Sequence, residues 1–224
     1  LPSPFGKFYA PNITPDVASG IGDWSFSDFA TAMVEGTSPE GRHYYPAFPY
    51  SSYRYARLED LADLFAYLKT LPPVAAENRS PDLPLSSSLR KFLGLWKVLA
   101  LEGSHAKTDS SKPESWNRGA YLVRSFGHCG ECHTPRDIFF VMDPSRYLEG
   151  GPHPEGKGSV PSLIDLIGRG EYEDAAALKE AFEYGELFGY DGMSSGGMAE
   201  VQTNLSKLPA EDLDAIVEYL VSLE

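Results

Sequence analysis

Two stretches of this 224-residue chain repeat one another about 150 residues apart, and that duplication restricts the fold more than any other feature. Gly6-Lys7-Phe8-Tyr9-Ala10-Pro11-Asn12-Ile13 and Gly156-Lys157-Gly158-Ser159-Val160-Pro161-Ser162-Leu163 both open on a Gly-Lys pair. Each then reaches a proline, a small polar residue and an apolar one. Further on, Glu59-Asp60-Leu61-Ala62-Asp63-Leu64-Phe65-Ala66-Tyr67-Leu68 is matched by Glu211-Asp212-Leu213-Asp214-Ala215-Ile216-Val217-Glu218-Tyr219-Leu220. Both segments place apolar residues at helical spacing, with acidic residues in the first turn where they suit the helix dipole. Pro72-Pro73 stops the first, and the second runs to the end of the chain. Alternating β-branched runs are nearly absent, so the expected class is all-α. The expected organisation is two tandem domains, 1–73 and 116–224, joined by a Pro/Ser-rich linker over 74–115. Inside that linker Leu89 to Leu99 reads as a short amphipathic helix. It is expected to cover an apolar seam across the two domains; contact with a partner or a membrane surface is the other reading.

The only two cysteines stand in Cys129-Gly130-Glu131-Cys132-His133. Thiols three residues apart on a helical turn both reach the vinyl groups along one edge of a haem, and the adjacent imidazole is carried under the iron as proximal ligand. A structural zinc site would need a second ligand pair, which the spacing does not supply. A thioredoxin-like site would need a βαβ pattern, and a disulfide between the two would stand alone. The helical stretch Trp116 to Val123 leads into the motif, and Gly119 is expected to let the helix around Tyr219-Leu220 approach closely. The 32 acidic against 19 basic residues give a formal charge of −13, which argues against nucleic acid and anionic lipid and favours a basic docking surface on a partner. No apolar run reaches the ~20 residues of a membrane span, so no transmembrane segment is expected. No signal peptide is visible, and a start at Leu1 rather than Met reads as a processed or truncated form. No Ser/His/Asp set, phosphate cradle or paired-carboxylate site stands out.

Arg118-Gly119-Ala120-Tyr121-Leu122 followed by Gly127-His128-Cys129-Gly130-Glu131-Cys132-His133-Thr134-Pro135-Arg136 resembles the second domain of periplasmic di-haem cytochromes c. These include the cytochrome subunits of alcohol, aldehyde and sugar-acid dehydrogenases. Pro11-Asn12-Ile13-Thr14-Pro15-Asp16, Gly22-Asp23-Trp24 and Tyr45-Pro46-Ala47-Phe48-Pro49-Tyr50 resemble first-domain motifs of the same family. The resemblance implies two class I cytochrome c domains and haem c attached at Cys129 and Cys132 with His133 on the iron. The distal ligand must come from the loop before the last helix, where Met193 and Met198 are the candidates. Gly196-Gly197-Met198-Ala199-Glu200-Val201 resembles the family's distal-methionine loop and favours Met198. Arg136 and Trp24 are expected near haem propionates, and His128 at the haem edge. His105 and His153 are expected to be exposed.

Cys129 lies 32 residues before Pro161, and the same distance before Pro11 falls upstream of Leu1. The first domain's attachment motif is therefore expected outside this chain; a mono-haem protein with a degenerate first domain is the alternative. Phe48 follows Pro11 by the same 37 residues that separate Met198 from Pro161, so an amino acid unable to bind iron stands where the methionine would be. His43, the counterpart of Met193, is then the candidate distal ligand, with a five-coordinate haem behind Phe48 as the other outcome. The expected function is electron transfer in the bacterial periplasm, with any membrane association through a partner. The expected donor is a periplasmic dehydrogenase, and the acceptor another cytochrome, the quinone pool or an oxidase. The competing classes are a di-haem enzyme acting on a small sulfur compound or peroxide at an open haem, and an adaptor in which the first domain only holds a partner.

Overall fold

Helices account for the regular structure of the chain in a computed structural model that describes residues 2–3, 6–83, 86–101, 108–154, 158–185 and 198–224. In chain order they are α1 Phe26–Glu35, α2 Tyr50–Tyr53, α3 Leu58–Thr70, α4 Ser86–Ala100, α5 Glu114–Arg124, α6 Gly130–His133, α7 Ala175–Tyr184, α8 Met198–Leu205 and α9 Ala210–Val221. Strands among the described residues are two-residue pieces only, such as Pro2–Ser3 paired antiparallel with Gly6–Lys7. None of the described helices is long and apolar enough to cross a membrane.

The chain divides into two compact units. The first comprises Leu1–Ala106 with Arg136–Met142 and Pro152–Val160; the second comprises Lys107–Pro135, Asp143–Gly151 and Pro161–Glu224. The stretch expected as a linker thus contributes α4 to the first unit, and two later loops belong there as well.

The duplication reappears in local structure. Helix α1 starts in a capping box, with Ser25 Oγ accepting from Asp28 N at 3.2 Å and Asp28 accepting from Ser25 N at 2.9 Å. It ends at Gly36, whose φ of 58° is the left-handed conformation that glycine adopts without a Cβ clash. Helix α7 is capped by Asp174, which accepts from Ala177 N at 2.9 Å, and ends at Gly185 with φ 70°. Phe29, Ala32 and Met33 face the interior of one; Leu178, Ala181 and Phe182 occupy the same turns of the other. Each such apolar face stabilises its unit by roughly 1.5–3 kcal/mol per large side chain fully buried.

In the first unit, α4 is seated by its polar side. Lys97 is buried, and its ammonium donates to the carbonyls of Glu35 at 2.6 Å and of Gly36, and to Thr37 Oγ1 at 3.1 Å. The C-terminal carbonyls of α1, left without helical partners, thus receive a cation that also suits the helix dipole. Phe92, Leu95, Val98 and Leu99 of α4 stay exposed.

The second unit is built on the crossing of α5 and α9. A methyl at Gly119 would fall on the carbonyl of Ala215 and 2.9 Å from the Cβ of Tyr219, so only glycine permits this approach. Arg118 forks onto Asp212 with Nε–Oδ1 at 2.7 Å and Nη2–Oδ2 at 2.8 Å. Trp116 packs edge-on against Tyr219 with ring centroids 5.1 Å apart. Val123, Leu148, Leu166, Leu178, Phe182, Leu213, Ile216 and Leu220 fill the core around this crossing.

Candidate functional site

The cysteine motif follows directly on the end of α5. Ser125, fully buried, returns its hydroxyl to Tyr121 O at 2.7 Å, and Gly127 N reaches Leu122 O at 2.8 Å. Cys129 N then bonds Val123 O at 3.1 Å, which ties the motif to the helix that meets α9. From there the backbone winds one helical turn, with Cys132 N to Cys129 O at 3.2 Å and His133 N to Cys129 O at 2.9 Å. Both sulfurs are therefore displayed from one turn, and neither cysteine is in a disulfide. Gly130 has no side chain because the Tyr147 ring lies over it, 2.6 Å from where a Cβ would stand. Burial pushes the Cys129 thiol up to about 12. Among the described residues no group of three or more His, Cys, Asp or Glu side chains gathers as a metal cluster.

His133 is 7% exposed, and its Nδ1 lies 2.8 Å from Pro161 O. A carbonyl only accepts, so Nδ1 carries the proton and Nε2 keeps its lone pair. Burial lowers the pKa of this imidazole, with the bond to Pro161 opposing it more weakly, and a neutral ring is the form that coordinates a metal. The surrounding backbone is fixed at several points. Gly150 N donates to His133 O at 2.6 Å, Leu148 N to Thr134 Oγ1 at 3.1 Å, and Leu163 N to Leu148 O at 2.8 Å. Pro161, the proline of the second repeat, thereby supplies the carbonyl that orients the ring. Nothing in side-chain chemistry announces that role, since the acceptor is main chain.

Met198 opens α8, half-buried against the same apolar cluster that Cys129 packs on. Two thiols on one turn, a neutral imidazole beside them and a thioether on the same core form a donor set suited to a covalently attached haem. Met193 and His105 lie outside the described residues. Arg136 is half-buried and donates from Nη1 to Phe140 O at 2.9 Å. Trp24 is half-buried, its backbone N bonded to Ile21 O at 3.2 Å. His128 is half-buried in a left-handed backbone conformation, φ 39°, next to Cys129. His153 is half-buried, with its backbone N on Gly158 O at 3.0 Å.

In the first unit Phe48 sits in an aromatic cluster with Tyr44, Tyr50 and Tyr53, ring centroids 5.6 to 6.4 Å apart. His43 is half-buried, with Nδ1 3.0 Å from Lys97 Nζ; burial foremost, and then the Lys97 charge, lower its pKa. Arg54, which no sequence motif marks, buries Nε and Nη1 without a hydrogen-bond partner in the structure.

No protein-family model matches the chain. It is similar to a protein described as diheme cytochrome c-type from Cereibacter sphaeroides, 45% identical over 221 residues, covering 98% of this chain and 73% of that protein. It is 36% identical over 231 residues to the fructose dehydrogenase cytochrome subunit of Gluconobacter japonicus, and 34% identical over 238 residues to the gluconate 2-dehydrogenase cytochrome c subunit of Pantoea cypripedii. Those two alignments take in the whole of this chain and 46% and 52% of the relatives, so the chain spans about half the length of these dehydrogenase subunits.

Proposed function

The chain belongs to the di-haem c-type cytochromes, and from that premise we propose that its second unit carries electrons through a haem held by Cys129, Cys132, His133 and Met198. The observation that carries the assignment is the cysteine turn with His133 fixed through Nδ1 on Pro161 O. When bound, haem c supplies a one-electron couple at its iron; the protein supplies the ligands, the orientation and the dry surroundings. Cys129 and Cys132 fix the macrocycle edge to a turn anchored on α5. His133 presents Nε2 from a ring that cannot rotate without breaking its bond to Pro161. Met198 brings a thioether, which raises the potential relative to a second imidazole. The apolar core keeps water away, and a rigid site changes little between oxidation states.

The organisation this implies is two tandem class I cytochrome c domains, over 1–73 and 116–224, with 74–115 between them. The paired caps and buried turns of α1 and α7 support it. The named relatives support a second haem c in the first unit and a periplasmic dehydrogenase as electron donor. Arg136 and Trp24 are assigned to haem propionates, and the acceptor to another cytochrome, the quinone pool or an oxidase. With a formal charge of −13, docking on a basic partner surface is the fitting mode.

The test is a redox titration of the haem-loaded protein followed by absorption. The expected result is reversible one-electron steps, with the weak long-wavelength sulfur-to-iron band of His/Met ligation in the oxidised form. Absence of that band, together with a high-spin spectrum for every haem, would overturn the ligand assignment.

A further inference from the structure

Helix α8 begins at Met198, and a side chain one turn further on ties it to the helix before it. Gln202 stands four residues after Met198 within Met198–Leu205, so the two share a face of the helix. Gln202 Nε2 donates to Phe182 O at 3.0 Å and to Glu183 O at 3.3 Å. Both carbonyls belong to the last turn of α7, where a helix supplies no partner of its own. Carbonyls only accept, so the amide nitrogen and not its oxygen faces them. The amide also lies against Gly185, the left-handed residue that ends α7. A Cβ there would come within 2.9 Å of both Cδ and Oε1 of Gln202. Thr203, the next residue, is exposed and turns its hydroxyl back to Ala199 O within α8.

Apolar packing alone would hold α8 less exactly. Leu205 and Leu208 seat its far end on the core cluster, and Met198 reaches the same cluster from the near end. Such contacts are non-directional and let a helix slide or turn by a fraction of a residue, whereas a donor shared between two carbonyls fixes its place along and about the axis. The first unit treats the equivalent helix end differently. Gly36 closes α1 in the same left-handed turn, a Cβ on it would meet the Tyr50 ring, and the carbonyls of Glu35 and Gly36 receive Lys97 from α4. Phe48 stands there in the methionine's place. In the second unit the tie comes from the same helix that carries the candidate ligand.

We propose that Gln202 is the positioning residue for Met198: its bonds to the end of α7 hold α8 where the thioether stays on the iron, and so set how readily a competing ligand displaces it. The proposal rests on the reading of Met198 as distal ligand and adds the residue that keeps it there. Displacement by imidazole is a plain ligand exchange. The sulfur–iron bond breaks, a nitrogen–iron bond forms from neutral imidazole, and neither proton nor electron is transferred.

The experiment titrates imidazole onto the ferric, haem-loaded protein and follows loss of the weak long-wavelength sulfur-to-iron band, with thermal unfolding measured alongside. Gln202→Leu removes the donors at similar size. The band should remain, but yield to imidazole at a concentration roughly ten- to thirty-fold lower, as the loss of two neutral hydrogen bonds implies. Gln202→Glu, isosteric and without a donor, should act in the same direction and serves if the leucine variant does not take up haem. Gln202→Arg again points donors at the two carbonyls and cannot itself bind iron, so it should return the affinity to within about three-fold of wild type. Thr203→Ala, on the exposed side of α8, should bind imidazole as wild type does. Wild-type imidazole affinity in Gln202→Leu or Gln202→Glu, even with a lowered unfolding midpoint, would overturn the proposal and leave Gln202 a purely structural residue. An arginine variant as weak as the leucine variant would overturn it as well, because donation to α7 would then not be what holds Met198. A wild-type protein without the sulfur-to-iron band would instead overturn the reading of Met198 on which the proposal rests.

Discussion

Gly119→Ala tests the architecture that holds the cysteine turn. In the second unit the new methyl would overlap Ala215 O and lie 2.5 Å from the Ala215 carbonyl carbon, where ordinary contact begins at 3.4 Å. Both atoms are backbone, so no rotamer change relieves the clash and α9 must retreat by about 1 Å. A gap of ~0.5–1 Å forfeits a quarter to a half of each dispersion contact along the seam, which here includes Tyr121, Val123, Ile216, Tyr219 and Leu220. Overpacking of this kind costs about 3 kcal/mol at the upper end, and the better helix propensity of alanine returns ~1 kcal/mol. A net loss of about 2 kcal/mol lowers the midpoint by roughly 4–8 °C for a protein of this size. The assay is thermal unfolding of the haem-loaded protein followed by Soret circular dichroism, which reports the second unit's haem surroundings. A midpoint within a degree of wild type, with Gly119→Val equally tolerated, would refute the close approach as a determinant of the fold.

Other consequences follow from single residues. Met198→Ala should turn the second unit's haem high-spin, lower its potential and open it to carbon monoxide; an unchanged spectrum would exclude Met198 as ligand. The Arg118 hydrogen bond holds the Asp212 carboxyl below its ordinary value, so its stabilisation is present above the unfolded carboxylate pKa and lost as pH falls through the lower folded one. Asp212→Asn should therefore cost ~1–3 kcal/mol at neutral pH, and the gap to wild type should close in strong acid; a gap that is constant with pH would contradict the ion pair. Lys97→Met takes the charged donor from the carbonyls of Glu35 and Gly36, the second of which keeps its bond from Tyr44 N, at ~2 kcal/mol. Amide exchange across α4 should then quicken roughly 30-fold, and unaltered protection would show that Lys97 does not seat the helix.

The parts of this protein that could be read from sequence are those in which side-chain type carries the information. Cys129, Cys132 and His133 name their chemistry by spacing, and Gly119 marks a close approach because nothing larger fits. The caps of α1 and α7 follow from Ser25, Asp174, Gly36 and Gly185. What stayed hidden depends on main chain or on reversed polarity. The orienting acceptor for His133 is a carbonyl, which has no signature. Along α4 Phe92, Leu95, Val98 and Leu99 are exposed while Lys97 is buried, because the carbonyls at the end of α1 receive its ammonium. A pattern rule that buries the apolar face cannot anticipate this. His43 places Nδ1 3.0 Å from Nζ of Lys97, more than 50 residues away in the chain, a contact that no local pattern announces. Arg54 had no motif at all; only its burial without a partner distinguishes it.

The most direct test of the central claim is mass spectrometry of the tryptic peptide Ser125–Arg136 from protein made in cells that mature c-type cytochromes. The account predicts a peptide heavier by one haem, with thioether links at Cys129 and Cys132 that survive acidified organic solvent. A peptide at its unmodified mass, or a haem that the solvent extracts, would contradict it.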